Sequence, residues 1–169
     1  MGTGKSRLTR AVAPRLGPAP GGALLLRSDE ARKRLAGVAP TVRLPPEAYA
    51  PERSAAVHAA LFDAARDALA GGRSAVLDAV FLDPAVRSAA EAVADSAGAR
   101  FLGLWLCAPL DTLRARVAAR TGDASDAGVA VLERAARADP GPFSPAWRAL
   151  DASDDPVPAA LSILRAHLR

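Results

Sequence analysis

The sequence predicts an α/β fold of three layers, in which helices cover a mostly parallel sheet. Short apolar segments of strand length alternate with longer segments whose apolar residues recur at helical spacing, and turn-rich segments separate the two kinds. Such alternation is typical of parallel strands joined by helices. The length of 169 residues suits one domain with its own core, so we expect a single domain over residues 1–169.

Three apolar segments and one weaker segment predict the strands. Each is four to seven residues long and is bounded by turn residues, as buried strands are. The predicted strands are 23–27, 74–80, 101–106 and the weaker 147–150.

Helical spacing of apolar residues, together with helix start and stop residues, predicts seven helices. The clearest covers 51–70, where the apolar residues share one face and Gly71-Gly72 ends the helix. Segment 37–46 contains too many glycine and proline residues for regular structure. The predicted helices are 5–13, 29–35, 51–70, 84–97, 109–120, 129–138 and 158–168.

Composition excludes several classes of protein. Half of the residues are hydrophobic and 24% are charged, which is typical of a globular chain rather than a disordered one. No apolar segment approaches the roughly 18 to 20 residues that span a bilayer, so we expect no membrane partner. Cys107 is the single cysteine, which excludes an intrachain disulfide and favours a cytoplasmic location.

The net charge of +4 fits either a bound triphosphate or nucleic acid. Only seven residues are aromatic, too few for a surface on which bases stack, so we do not expect a nucleic-acid partner. His58 and His167 have no metal-ligand partner at a usable spacing.

The segment GTGKS at 2–6 matches the end of the phosphate-binding motif G-x-x-x-x-G-K-[ST]. Glycines let backbone N–H groups approach phosphate oxygens, and the N-terminus of the following helix adds partial positive charge. We expect Lys5 to contact the β- and γ-phosphates and the Ser6 hydroxyl to bind Mg²⁺. A polar N-terminus without function is the alternative. The residues expected to bind the nucleotide are Gly2, Thr3, Gly4, Lys5, Ser6 and Arg7.

Asp78 ends an apolar segment in the manner of a Walker B carboxylate, which predicts a second Mg²⁺ ligand beside Ser6. A buried charge without a partner is costly, so an aspartate at this place is seldom there for packing alone. The alternative is a hydrogen bond from Asp78 to a neighbouring loop.

Several segments together resemble a family of bacterial P-loop kinases. These proteins are often fused to an aminoglycoside-phosphotransferase-like domain and are related to zeta toxins, chloramphenicol phosphotransferase and polynucleotide 5′-kinases. The resemblance covers nearly the whole chain. It rests on GTGKS at 2–6, RSDEARKRLAGV at 27–38, LPPEAY at 44–49, VLDAVF at 76–81, FLGLWL at 101–106, LRARVAARTGDASDA at 113–127 and DPGP at 139–142.

The resemblance implies a P-loop NTPase kinase-like fold that uses ATP and Mg²⁺. It further implies transfer of a phosphoryl group to a hydroxyl of a small-molecule acceptor, and an upstream fusion domain as a further partner. Residues 151–153 follow the last strand, where related kinases place the loop that contacts adenine; capping of the final helix is the alternative.

The resemblance also implies that the first strand of the fold is missing. Counting back from Gly4 places the first glycine of the motif two positions before Met1, and the strand expected ahead of the loop is absent with it. In these kinases that strand lies between the strands predicted at 74–80 and 101–106. We therefore expect two unpaired strand edges and a poorly stable chain, at about 1–3 kcal/mol per unsatisfied backbone group.

Two residues of the segment 27–38 are candidates for handling the acceptor. Asp29 follows a strand at the carboxyl edge of the sheet, and the resemblance implies that it orients the acceptor hydroxyl and takes its proton. Arg32 lies one helical turn later and resembles the arginine of the D-x-x-R arrangement in polynucleotide kinases. The alternatives are a helix cap formed by Ser28 or Asp29, and an exposed surface arginine for Arg32.

Arg116 and Arg120 lie four residues apart on the predicted helix 109–120 and share one border of its apolar stripe, whereas Arg114 lies on the other side. The glycine- and aspartate-rich segment 121–128 follows and predicts a mobile loop. Region 109–128 thus resembles the lid of small kinases, whose arginines neutralise charge on the transferred phosphate. A solvent-exposed basic face is the alternative.

These expectations favour an ATP-dependent kinase for a small hydroxyl-bearing substrate. A nucleotide-binding regulatory module, or a non-catalytic part of a larger fused kinase, is the second interpretation. A 5′-kinase for nucleic-acid ends is a third, which the D-x-x-R arrangement and the positive charge permit. The residues expected to act in catalysis are Lys5, Asp29, Arg32, Arg116 and Arg120.

Overall fold

The computed structural model of the chain describes residues 2–18, 20–119 and 129–168. Strands and helices alternate along these residues, so the predicted α/β class with parallel strands is confirmed. The strands are β1 Leu24–Arg27, β2 Ala75–Asp78, β3 Gly103–Cys107 and β4 Trp147–Asp151. The helices are α1 Lys5–Val12, α2 Ser28–Leu35, α3 Pro51–Ala70, α4 Pro84–Ser96, α5 Leu110–Ala118, α6 Val129–Arg137 and α7 Val157–Leu168, with short 3-10 helices at Ala13–Arg15 and Pro46–Tyr49.

Local sequence explains where the helices begin and end. Helix α4 begins at Pro84, whose fixed φ suits a first helical position, and the Asp83 carboxylate caps it by accepting a hydrogen bond from the Ala85 N–H at 2.8 Å. Helix α3 also begins with a proline and ends at Gly71. Of the segment 37–46, predicted to lack regular structure, residues 37–45 contain no helix or strand, and Pro46 begins the 3-10 helix.

The four strands form two separate two-stranded sheets. Strands β1 and β2 pair in parallel from Leu24 opposite Ala75 to Arg27 opposite Asp78; we call this pair the first sheet. Strands β3 and β4 also pair in parallel and form the second sheet. Within the described ranges no backbone ladder joins β2 to β3. The gap lies between β2 and β3, the two strands on which the sequence analysis expects unpaired edges.

A cavity of about 500 Å³ lies between the two sheets. Residues 74–79 and 101–104 line it consecutively, on both sides of the gap. Because neighbouring side chains of a strand point to opposite faces, consecutive lining means that the edges of β2 and β3 face the cavity. Helices α1, α3, α4 and α7 close it, mostly with apolar side chains. Within the described residues the two sheets are thus held side by side by the helices packed around them, and not by a shared backbone ladder.

Helix α1 connects the two halves. It contacts β1 and β2 of the first sheet, and its buried Leu8 and Val12 share a core cluster with Leu104 and Leu106 of β3 and with α7. Other core clusters join α2, α3 and α4 to the first sheet. Burial of these apolar side chains fixes the N-terminus of α1 beside the carboxyl ends of the strands.

No helix in residues 2–18, 20–119 and 129–168 combines the length and apolar character needed to cross a membrane.

Candidate functional site

The loop before α1 depends on two glycines. Gly2 has φ of 71° and Gly4 has φ of 80°, a left-handed conformation that side chains disfavour. A Cβ on Gly2 would lie 2.8 Å from the Leu113 carbonyl oxygen and 3.0 Å from Val117 Cγ2. Residue 2 therefore packs directly against α5, and only glycine allows this approach.

The first turn of α1 carries the two residues expected to contact nucleotide phosphates and metal. Lys5 and Ser6 are the first residues of the helix, where backbone N–H groups lack intrahelical partners and the helix dipole favours anions. Gly4 precedes them as the N-cap and makes no side-chain cap bond. Lys5 and Asp78 both line the inter-sheet cavity.

Ser6 and Asp78, the two predicted metal ligands, are in direct contact although they lie 72 residues apart. The Ser6 hydroxyl donates to Asp78 Oδ2 at 2.6 Å. Asp78 is 6% exposed and ends β2, so its carboxylate is fixed by the strand rather than by a loop. The alternative was that Asp78 accepts a hydrogen bond from a neighbouring loop. The observed donor, Ser6, lies on helix α1 and not on a loop.

These oxygen donors fit Mg²⁺. A hydroxyl and a carboxylate are hard ligands, and Mg²⁺ commonly takes one or two protein ligands and completes its coordination with phosphate oxygens and water. No group of three or more His, Cys, Asp or Glu residues among the described residues could hold a metal by itself. The donor set therefore suits a metal whose remaining ligands are water or phosphate oxygens.

Arg27 also belongs to this cluster, and the sequence interpretation did not single it out. It ends β1 directly opposite Asp78, and its side chain is 3% exposed. Its Nε lies 3.3 Å from Asp78 Oδ2, and its Nη2 lies 3.2 Å from Ser6 Oγ. One signal could have revealed it: a charged residue closes each of two neighbouring apolar strands.

Asp29 lies in the first turn of α2, two residues beyond the end of β1. The N-cap of α2 is Arg27 and no side chain caps the helix, so the alternative in which Asp29 is the capping residue does not hold. A half-buried carboxylate in a first helical turn is favoured by the helix dipole. Asp29 thus stands at the carboxyl edge of the first sheet, as expected.

Arg32 is bound to the segment that follows α2. It donates to the Ala48 carbonyl at 2.6 Å and to Ser54 Oγ at 3.3 Å, and its guanidinium lies 4.7 Å from the centre of the Tyr49 ring. These contacts are not those of an exposed surface arginine. They hold residues 48–54 beside the helix that carries Asp29, whereas the contacts described here do not join Arg32 to Ser6 or Asp78.

Arg116 of α5 binds the loop after β4. Its guanidinium donates to the carbonyl oxygens of Ala152 at 2.5 Å and Ser153 at 2.6 Å. The same loop is tightened by Asp151, whose Oδ1 accepts from the Ser153 N–H and hydroxyl; these bonds lower the pKa of Asp151. Asp155 pairs with Arg7 at 3.3 Å on the surface. Residues 151–155 are therefore tied both to α1 and to α5.

Part of the predicted lid cannot be compared with the structure. Arg120 and the segment 121–128 lie outside the described residues. Arg114 points to the other side of α5 from Arg116 and binds Asp111 and Glu133, which agrees with its separate place on the helix.

Comparison with known proteins gives a family and a fold. A family model described as an AAA domain matches residues 1–139. The fold is similar to that of a gluconokinase from Sinorhizobium meliloti 1021, with 20% identity and a TM-score of 0.63 over 99% of this chain and 89% of that one. It is also similar to a "putative kinase" from Chloroflexus aurantiacus j-10-fl, with 19% identity and a TM-score of 0.67 over 98% and 90% of the two chains.

None of the curated proteins compared with the chain matches it. At 19–20% identity the two solved structures establish the fold but not an activity. The family model covers most of the chain and includes the glycine loop, Ser6, Arg27 and Asp78. The chain therefore belongs to the AAA domain family of P-loop proteins, and its α/β fold is one that kinases share.

Proposed function

We propose that this protein binds ATP together with Mg²⁺ and transfers the γ-phosphate to a hydroxyl group of a small molecule. The observation that carries the proposal is the contact of Ser6 with Asp78, which joins the start of the phosphate-loop helix to the end of a neighbouring strand. A hydroxyl on a helix N-terminus beside a buried carboxylate is the arrangement that P-loop proteins use for a nucleotide-bound metal. Both similar structures are described as kinases, which supports the proposal.

The phosphates would be held by backbone N–H groups of residues 3–6 and by the Lys5 ammonium group. The positive φ angles of Gly2 and Gly4 shape the loop. The N–H groups in the first turn of α1 donate hydrogen bonds to the phosphates without requiring a charged side chain to be buried. Ser6 and Asp78 would hold Mg²⁺, which when bound neutralises charge on the β- and γ-phosphates. Gly2, packed on α5, fixes the loop relative to the lid helix.

Asp29 would hold the acceptor. Because Arg27 and Asp78 are paired in the ladder, the start of α2 lies next to the proposed metal ligands. In the transfer the acceptor oxygen bonds to the γ-phosphorus, the bond to the β–γ bridging oxygen breaks, and ADP leaves. The acceptor proton passes to the Asp29 carboxylate. Arg32 supports this geometry by fixing residues 48–54.

Arg116 and Arg120 are proposed to neutralise charge on the transferred group. In the described conformation Arg116 binds the carbonyls of Ala152 and Ser153, so it reaches a phosphate only after leaving them. Residues 151–153 are proposed to contact adenine. A lid that closes on nucleotide and draws Arg116 inward accounts for both roles.

We also infer that a fifth strand belongs in the cavity between the sheets. Both facing edges are unpaired in the described residues, and the lining is mostly apolar, which suits one extended segment. A strand parallel to β2 and β3 would run towards the phosphate loop at Gly2. In the kinases that the sequence resembles, such a strand precedes the phosphate loop, and we expect low stability of the fold without it.

The split sheet also favours a second candidate function. A domain that lacks the strand between β2 and β3 could bind nucleotide through α1 without completing phosphoryl transfer. It would then act as a nucleotide-binding regulatory module or as the non-catalytic part of a fused kinase.

The experiment that separates these functions is an acceptor screen read out as ADP formed, with wild type and Asp29→Asn. We expect magnesium-dependent ADP formation that rises with one class of hydroxyl compound. The asparagine variant should lose about two to four orders of magnitude in turnover, because it cannot accept the proton, while nucleotide binding is retained. Asp95→Asn, which removes an exposed carboxylate of α4, is the matched control. Nucleotide binding without acceptor-dependent turnover in the wild type would support the regulatory module instead.

A further inference from the structure

A buried guanidinium group lies between the two proposed metal ligands. Arg27 Nε is 3.3 Å from Asp78 Oδ2 and Arg27 Nη2 is 3.2 Å from Ser6 Oγ. Ser6 Oγ itself donates to the same carboxylate oxygen, Oδ2. The oxygens that would bind a divalent cation are therefore already in contact with a monovalent one.

Burial makes this arrangement consequential. The side chains of Arg27 and Asp78 are 3% and 5% exposed, so water cannot solvate the carboxylate and a counter-charge must. In the state without metal, Arg27 is that counter-charge. A divalent cation on Asp78 Oδ2 would place two cations against one carboxylate oxygen, and their repulsion is poorly screened in a buried site.

A second carboxylate offers the displaced guanidinium another partner. Glu30 lies one helical turn beyond Arg27, and its Oε1 accepts from Arg27 Nη1 at 2.5 Å. The Glu30 side chain is 48% exposed, so it can move with the arginine where the strand-bound Asp78 cannot.

We propose that Arg27 is the built-in counter-cation of Asp78, that Mg²⁺ and the guanidinium exchange at this carboxylate, and that Glu30 retains the displaced arginine. The proposal rests on the assignment of Ser6 and Asp78 as metal ligands. Arg27 is then a positioning residue, which keeps Ser6 and Asp78 together until metal and nucleotide arrive. A merely structural ion pair would stabilise the fold equally with and without metal.

The test is thermal unfolding of Arg27→Gln with and without millimolar MgCl2, in the absence of nucleotide. Without metal we expect Tm to fall by about 10 °C, because Asp78 is left as an unpaired buried charge. Magnesium should restore at least about half of that loss by supplying the missing charge, and should shift wild type by no more than about 2 °C, since Arg27 competes for the site.

Arg87→Gln is the matched control. Arg87 is buried to the same degree, at 2% exposure, but its described hydrogen bonds go to the backbone carbonyls of Phe81, Leu82, Pro140 and Pro142. Its loss should lower Tm without any recovery in magnesium. The double variant Arg27→Gln/Asp78→Asn should also show no recovery, because the carboxylate that binds the metal is gone.

Glu30→Gln keeps the proposal testable if Arg27→Gln does not fold even in magnesium. This half-exposed residue tolerates substitution, and its loss leaves Arg27 with a stronger hold on Asp78. Binding of Mn²⁺, followed by the decrease in its free electron-paramagnetic-resonance signal, should weaken about threefold to tenfold. Unchanged Mn²⁺ affinity in Glu30→Gln, or equal magnesium responses of Arg27→Gln and Arg87→Gln, would overturn the proposal.

These measurements use no nucleotide. A negative result for the cation exchange can therefore be distinguished from a negative result for the proposed kinase function. If ATP stabilises the protein through Lys5 while magnesium does not rescue Arg27→Gln, only the exchange is wrong. If magnesium rescues Arg27→Gln while ATP has no effect, the counter-cation stands and the kinase proposal falls.

Discussion

The two sheets of this protein are of similar size, and each is a parallel backbone ladder, but they differ in the side chains buried around them. The first sheet ends in buried charge, with Arg27 and Asp78 opposite each other in the ladder. The second sheet is built around one aromatic side chain: the Trp147 ring lies 5.5–6.1 Å from the rings of Phe81, Phe101 and Phe143. Its indole N–H donates to Glu91 at 2.8 Å.

The difference separates the roles of the two halves. Buried charge costs free energy unless it is paired, and in the first sheet the buried charge includes a proposed metal ligand, whereas the rings around Trp147 contribute packing. Every proposed metal ligand lies on the first sheet or on α1, which packs against it. We therefore expect substitutions in the first sheet to change ligand binding along with stability, and substitutions among the aromatic residues packed around Trp147 to change stability alone.

The largest effect is expected from a strand that joins the two sheets. An N-terminal extension with five β-branched apolar residues, leading into a glycine two positions before Met1, should pair with both facing edges. We expect Tm to rise by about 10 °C or more, because the backbone groups of β2 and β3 gain partners. Differential scanning calorimetry would measure the change.

An extension of equal length made of glycine and serine is the control for this prediction. Equal melting temperatures of the two extended chains would show that the cavity is not a strand site.

Trp147→Ala should produce the next largest loss of stability. Removing a buried indole costs about 3–5 kcal/mol, and here it also removes the ring that packs directly on Gly103. At a temperature where the variant stays folded, its affinity for ATP with magnesium should match wild type within about twofold, as measured by calorimetric titration. A loss of ATP affinity comparable to that of a phosphate-loop variant would show that the aromatic packing of the second sheet also contributes to ligand binding.

Asp78→Asn should lose stability of similar size, for a different reason. The substitution leaves Arg27 as a buried charge with a weaker partner, at a cost of about 3–5 kcal/mol. Unlike Trp147→Ala, it should also abolish the dependence of ATP binding on magnesium. Urea unfolding would measure the loss of stability, and titration with ATP in magnesium or in EDTA would measure the magnesium dependence of ATP binding. If Asp78→Asn kept that dependence, Asp78 would not be a metal ligand.

The smallest effect concerns pH and His58 of α3. Burial, followed by the nearby positive charge of Arg32, lowers the pKa of His58 below its ordinary value of 6.5. The unfolded chain therefore takes up a proton before the folded chain does, so stability falls as the pH drops below 6.5 towards the folded pKa. His58→Gln should flatten this part of the stability profile, measured as urea midpoints at several pH values, and an unchanged slope would contradict the assignment.

The sequence predicted much of the fold because its signals are local. Helix α3 was predicted at its observed bounds, from apolar spacing and from the terminal proline and glycine. Strand β3 was predicted two residues too early, at 101 rather than 103, because the ladder begins only where the Gly103 N–H binds the Ala146 carbonyl. That pairing depends on a residue over forty positions away and has no local signal.

The same distinction explains the site. Ser6 and Asp78 could be named separately, each from its motif, and their contact followed from the fold that the motifs implied. Arg27 could not, because its role comes from the register that sets it opposite Asp78. Arg32 was placed on the expected helix, but its binding to Ala48 and Tyr49 depends on the course of an irregular segment that propensities do not define.

The most direct test of the central claim is thermal stabilisation by ATP with magnesium, measured on wild type, Lys5→Ala and Arg10→Ala. Arg10 is an exposed cation on the same helix and controls for general loss of charge. We predict a rise in Tm of several degrees for wild type and Arg10→Ala that is absent in Lys5→Ala, since a ligand stabilises only the state that binds it. The same rise in all three proteins, or none in wild type, would contradict a phosphate site at residues 2–6.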